Sequence, residues 1–337
     1  NNGNIISVSG QSGINIVNTN KPGSPTAFNL SLNDNTINNS GRNGVFLRGT
    51  GNAQFTGNMS DNVIGTSGRD GVEVILENAA ALGNPNGNAQ PPFVMDGNQI
   101  TNSTRHGIFF DTNFTNENGL FGGTAFANVD IRSSDNKVDA FGARIRTVIS
   151  NNGQNGGQII DNSQYQGAPA TNPVNQNTYR IRGATVSNNQ IDGIYLEQGQ
   201  RTLPGGPSGG ATRDFNNGAA LFIGDAATTF LGNRDVIIEG NRDDGIDLKI
   251  RDGDNTNNIL TVNRTLIQLN GSQGDNVRTE GGPQGVGHGV EVAITASGRL
   301  SSTFTNVDIL RNAGDGVDYT VTTTLAGTVA STTMLGV

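Results

Sequence analysis

Apolar residues recur along this chain in a fixed frame around a glycine. In Asn35–Leu47, NTINNSGRNGVFL, Ile37 lies seven positions before Gly44, and Val45 and Leu47 lie one and three after it. The same frame returns at Gly13, Gly71, Gly107, Gly193, Gly245 and Gly316. Gly142 and Gly289 keep only its downstream half, as Ala143 and Ile145 and as Val290 and Val292. Apolar residues two apart, with polar residues between, describe a strand with one buried face. The glycine predicts a tight bend or a positive φ. Asn39, Asn102, Asn188, Asn241 and Asn312, four or five residues earlier, predict a turn. A further strand precedes the frame, marked by Leu32, Met59, Met95, Ile181 and Phe304.

Three short strands per repeat predict one coil of a solenoid, and the anchors predict about nine coils. The shortest spacing, 27 residues from Gly44 to Gly71, is a bare coil. Longer spacings add loops, expected near 77–92, 111–123, 151–177, 199–218 and 271–287. A constant rung with variable loops argues against a sandwich. The N-x-I-x-N…G-(V/I)-x-(V/L) coils resemble the right-handed parallel β-helix proteins, the pectate-lyase-like superfamily. That resemblance spans nearly the whole chain and implies an all-β fold in one domain, residues 1–337. It says little of function, because the superfamily holds lyases, hydrolases, tailspikes and surface proteins.

Composition sharpens this. Gly occurs 49 times, Cys and Trp are absent, and 33% of residues are hydrophobic, which suits a narrow core. Lacking cysteine, the chain has no disulfides and no thiolate metal or redox sites. A net charge of −8 without a basic patch excludes nucleic acid as an expected partner. No run is apolar enough to span a membrane as a helix. The chain opens at Asn1 with neither Met nor a signal peptide, as expected of a mature form or a piece of something longer.

Most insertions follow the strand after the anchor glycine, so those after Val74, Phe110, Arg146 and Leu196 are expected on one lateral face, where glycans could bind. Leu325–Met334 resembles Gly298–Phe304, which starts a coil, and Asn4-x-Ile6 begins where that coil would continue. Ends so matched suggest copies stacked head to tail through the terminal coils, or a segment of a longer array. The first reading is therefore structural and not enzymatic: an extracellular or cell-surface scaffold, a filament or an adhesin stalk. The alternative is a β-helix that binds or cleaves polysaccharide, as a lyase or glycoside hydrolase.

Two motifs carry candidate chemistry. Asp243-Asp244-Gly245-Ile246-Asp247 and Gly287-His288-Gly289 resemble parts of the polygalacturonase-type hydrolase pattern, which implies paired Asp residues as acid and base. That pattern's N-T-D and R-I-K are missing. Both motifs also occupy the slot before an anchor glycine, where Asp70, Asp192 and Asp315 recur, so the repeat itself accounts for them. No cofactor is implied beyond a candidate calcium turn at Asp252 and Asp254.

Overall fold

The computed structural model describes residues 3–20, 26–83, 91–112, 125–134, 137–138, 140, 142–161, 177–198, 218–225, 235–250, 257–271, 287–295, 299–322 and 329–335. These residues form three parallel sheets and no helix. Sheet A runs through nine strands, from Ile5–Ser7 to Asp308–Leu310. Sheet B runs through nine, from Ile14–Asn20 to Val317–Thr322. Sheet C has ten, from Thr26–Asn33 to Val329–Leu335. The chain visits A, B and C in turn, and each strand pairs with its equivalent one repeat away. The protein is a right-handed parallel β-helix.

Register lines the predicted apolar positions into columns. On sheet A, Ile6, Ile37, Ile64, Ile100, Ile149, Val186, Ile238, Ile267 and Ile309 stand one above another. On sheet C the column is Leu32, Met59, Met95, Ile131, Ile181, Ile223, Val262, Phe304 and Met334. Most members of both columns are buried. Each such side chain removed from water contributes about 1.5–3 kcal/mol, so a core one residue deep per strand suffices.

Turns are held by side chains. Asn35, Asn62 and Asn98 form one amide ladder, each donating its N–H to the next residue's carbonyl oxygen or, from Asn98, to Thr147 Oγ1, at 3.0–3.3 Å. Asn152, Asn189, Asn241, Asn270 and Asn312 form a second at another corner, with backbone and Nδ2 donors both reaching the next Oδ1. The asparagines expected before each glycine thus divide by position. Those five residues before it, Asn39, Asn102 and Asn188, take a left-handed φ near 56°; those four before it stack.

The anchor glycines have a different cause from the one expected, since none but Gly142 has a positive φ. A Cβ on Gly193 would stand 2.6 Å from the carbonyl oxygen of Gly245 and 2.7 Å from Ile238 Cγ2, both one coil on. The glycine is required by how closely the next coil approaches. Gly142 is not an anchor: its φ is 80°, open space surrounds it, and it sits beside a lone antiparallel bridge between Val138 and Arg144. The anchor of that coil is Gly156. Its frame is hidden in the sequence because Gly157 fills the slot that is Ile108 in one neighbour and Ile194 in the other.

The insertions need similar trimming. Residues 151–177 are not all loop, because Gly157–Asp161 is a full strand of sheet B. Residues 77–92 include Ala81–Leu82, which pairs with Gln54–Phe55 and Phe126–Ala127, so the insertion splits a strand of sheet C. Most of 111–123, 199–218 and 271–287 lies outside the described residues.

Adjacent glycines test this account. Gly156→Ala should cost about 2–3 kcal/mol, since its Cβ would meet backbone at 2.6 Å. Gly157→Ala, with nothing within 4 Å, should gain about 0.5–1 kcal/mol. Denaturant unfolding of the two variants measures the opposite signs.

Candidate functional site

The residue before each anchor glycine forms a third ladder. Asn43, Asp70, His106, Asn155, Asp192, Asp244, His288 and Asp315 occupy this slot in successive coils. Each side chain accepts the backbone N–H of the slot residue one coil later: Asp70 from His106 at 3.1 Å, Asn155 from Asp192 at 3.0 Å, Asp192 from Asp244 at 3.1 Å and His288 Nδ1 from Asp315 at 2.9 Å. Each glycine N–H in return donates to that later residue's carbonyl, as Gly193 does to Asp244 at 2.9 Å. The slot therefore demands an acceptor, which Asn, Asp and neutral His all supply.

The strands of sheet B that follow turn alternate side chains outward. Phe109, Gln158, Tyr195, Asp247 and Glu291 share one outward row, and Asp111, Ile160, Glu197, Lys249 and Ala293 the next. Row and ladder together bound a cleft of about 320 Å³. Arg105, His106 and Gln158 stand at one end, and Asp243, Asp244 and Glu291 at the other.

Carboxylates converge there. Oxygens of Asp192, Asp243 and Asp244 lie within 4.8 Å of one another, as do those of Asp244, Asp247 and Glu291. Such spacing also admits a hard cation, although the ammonium of Lys249, 3.0 Å from Asp247 Oδ2, already brings positive charge to the second group. Lys249 Nζ also lies 5.0 Å from the centre of the Tyr195 ring, whose hydroxyl donates to Glu197 at 2.7 Å. Asp192, Asp244 and Asp247 are all buried. Burial, then the charges of Asp247 and Asp243, raise the Asp192 pKa well above its ordinary range. Burial and Asp192 do the same to Asp244. Asp247 is pushed up to about 7, burial outweighing the opposing charge of Lys249. Burial works against the charge of Lys249, but its carboxylate neighbours prevail and raise its pKa.

Elsewhere on the helix several buried carboxylates have arginine partners. Glu73 meets Arg69 at 3.4 Å, Glu77 meets Arg48 at 3.0 Å, and Asp130 is clasped by Arg182. In the cleft several carboxylates share one lysine. Carboxyl groups buried this close together oppose folding, and such perturbed groups collect where chemistry is done.

Asp243 and Asp244, singled out from the sequence, both line this cleft. His288 is beside it as a ladder member, its N–H donating to Asp244 Oδ1 at 2.5 Å. Asp252 and Asp254 lie outside the described residues. Asp247, the last residue of the motif that holds Asp243 and Asp244, lines the cleft too; sequence reasoning read Asp192 as a repeat-slot residue alone and missed Lys249 and Glu291. The available signal was the alternation itself, which turns Asp247, Lys249 and Glu291 outward on neighbouring strands of sheet B.

The electrostatics have two measurable consequences. His106 is buried, stacks on Phe109 and receives the Asn155 N–H on Nδ1; burial, Arg105 and Arg69 lower its pKa from 6.5 to about 3. A histidine held neutral contributes stability above pH 6.5 that is lost as pH falls toward 3. His106→Asn, with the occupant of the same slot at Asn155, should gain on the wild type in thermal melts at pH 4 relative to pH 7. Asp192 behaves oppositely. Its folded pKa stands above the unfolded 3.8, so its cost grows as pH rises from there. Asp192→Asn should raise the melting temperature by roughly 2–4 °C at pH 8, the gain shrinking toward pH 4.

No protein-family model matches this chain, and no curated protein does. Among solved structures, the A-module of the mannuronan C-5 epimerase AlgE6 of Azotobacter vinelandii is similar over 98% of this chain and 80% of that one, at 14% identity and a TM-score of 0.28. That structure belongs to an enzyme, contrary to the expectation from the sequence that this chain is none, and the expectation is set aside. A likeness so distant carries no argument about the reaction, for which the side chains of the cleft are the guide. The three parallel sheets make the chain a right-handed parallel β-helix.

Proposed function

We propose that the cleft performs acid–base chemistry on a polysaccharide. The carrying observation is the convergence of Asp192, Asp243, Asp244, Asp247 and Glu291 around Lys249 in an open cleft, where Glu73, Glu77 and Asp130 elsewhere on the helix each meet an arginine. Cleaving a sugar linkage needs a group that gives a proton to the leaving oxygen and another that accepts one. Asp244, whose pKa is raised, carries a proton at neutral pH; Asp247, at about 7, is poised to accept one. Asp243, beside Asp244 and less buried, is placed to touch substrate. A linear chain lying along the helix axis meets a new outward side chain at each rung, about every 4.8 Å.

This is the second of the two readings open to the sequence. It displaces the scaffold and head-to-tail filament, which give no reason for carboxyl groups crowded together in a cleft.

The decisive variant is Asp244→Asn. It keeps the ladder acceptor, as Asn155 does in the same slot, and removes the acid. Release of reducing ends from a polysaccharide panel should fall by about 10²-fold or more, with the far-ultraviolet circular dichroism unchanged. A folded variant with full activity would remove Asp244 from the mechanism.

A further inference from the structure

We propose that the cleft takes an uncharged glycan, whose hydroxyls donate to its carboxylates, and turns polyuronates away. The inference rests on the polysaccharide reading above and names the substrate class. Charge is the first ground. Among the described residues lining the cleft, Asp192 and Asp244 have raised pKa values and are left out of the charge count, and the four other acids, Glu197, Asp243, Asp247 and Glu291, still outnumber the cations Arg105 and Lys249. Both cations are engaged. Lys249 holds Asp247 at 3.0 Å. Arg105 lies 3.9 Å from Asp70 and 5.8 Å from the centre of the Phe109 ring. A uronate chain would bring one carboxylate per sugar to within a Debye length of the acidic group, about 8 Å at physiological salt, and would find no open guanidinium fork among the described lining residues.

The second ground is independent of charge counting. Asp247 is only 4% exposed, and its Oδ1 has no hydrogen-bond partner. Lys249 takes Oδ2 and leaves Oδ1 as a buried acceptor waiting for a donor. A sugar hydroxyl supplies that donor, which is what points to a glycan in this cleft; the discrimination against polyuronates rests on the charge around it. Gln154, Asn155 and Gln158 complete the lining with amides that both donate and accept, which suits hydroxyls.

The test is affinity electrophoresis of the full chain in EDTA at low salt. The gels carry neutral polymers (xylan, mixed-linkage β-glucan, galactomannan, arabinan), polyuronates (polygalacturonate, alginate) or chitosan. At least one neutral polymer should bind about tenfold more tightly than either polyuronate, and added salt should narrow the gap. Glu291→Gln, outside the ladder, should narrow it too. A polyuronate bound as well as the best neutral polymer in EDTA overturns the inference and leaves the polysaccharide reading standing. So does a polyuronate that becomes the preferred ligand once calcium replaces EDTA, or a preference for chitosan. Retention by none of the polymers removes the polysaccharide reading and this inference with it.

Discussion

The spacing between coils is the constraint on which the rest depends. Backbone hydrogen bonds between parallel strands fix it, and no side chain can relax it. At the corner before sheet B, that distance leaves no room for a Cβ, because the next glycine's carbonyl stands 2.6 Å from where one would be. Glycine there follows from proximity, not from an unusual dihedral. Once coils are locked at this distance, like slots face like slots, and a residue in one coil must satisfy its counterpart in the next. The amide ladders are the favourable outcome. The carboxylates of the cleft are the costly one, where Asp192 and Asp244 are stacked by a geometry indifferent to their charge.

Two ledgers of buried charge therefore coexist on one helix. Near the N-terminal coils Glu73 and Glu77 are neutralised by arginines a short reach away. Between Asp192 and Glu291 the same rows crowd carboxylates around Lys249. Stability alone would favour extending the first pattern along the whole face, or filling the slots with asparagine, which the ladder accepts equally well. Retaining acids at a thermodynamic cost is what a reactive site requires.

Much of the architecture was legible because the coil constraint writes itself into the sequence as period. The Ile37, Ile64 and Ile100 column, the strand at Phe304 and its echo at Met334 are all visible as spacing. Legibility failed where one residue stood in for another. Gly157 replaced a core side chain and hid a whole rung, while the chance sequence around Gly142 imitated one. The site was harder to read for a deeper reason. Asp244 and His288 were discounted because their slot explained them, and the ladder confirms that it does. The repeat assigns them a structural duty, yet only the stacking of coils shows that Asp192, 52 residues from Asp244, shares their space. Lys249 and Glu291 form no motif; their meaning lies in neighbours that are remote in sequence.

The ladder before sheet B has a direction, since every side chain receives from the coil that follows it. Whatever occupies a slot must offer a lone pair, and beyond that the scaffold makes no selection between neutral amide, acid and imidazole. Asn155, Asp192 and His288 hold their coils by the same bond. Architecture and reactivity are thereby separable variables. A cluster of acids could be moved a coil along the axis by exchanging amides for carboxylates, without altering a strand. A fold built this way can explore chemistry by substitution at sites already committed to holding it together.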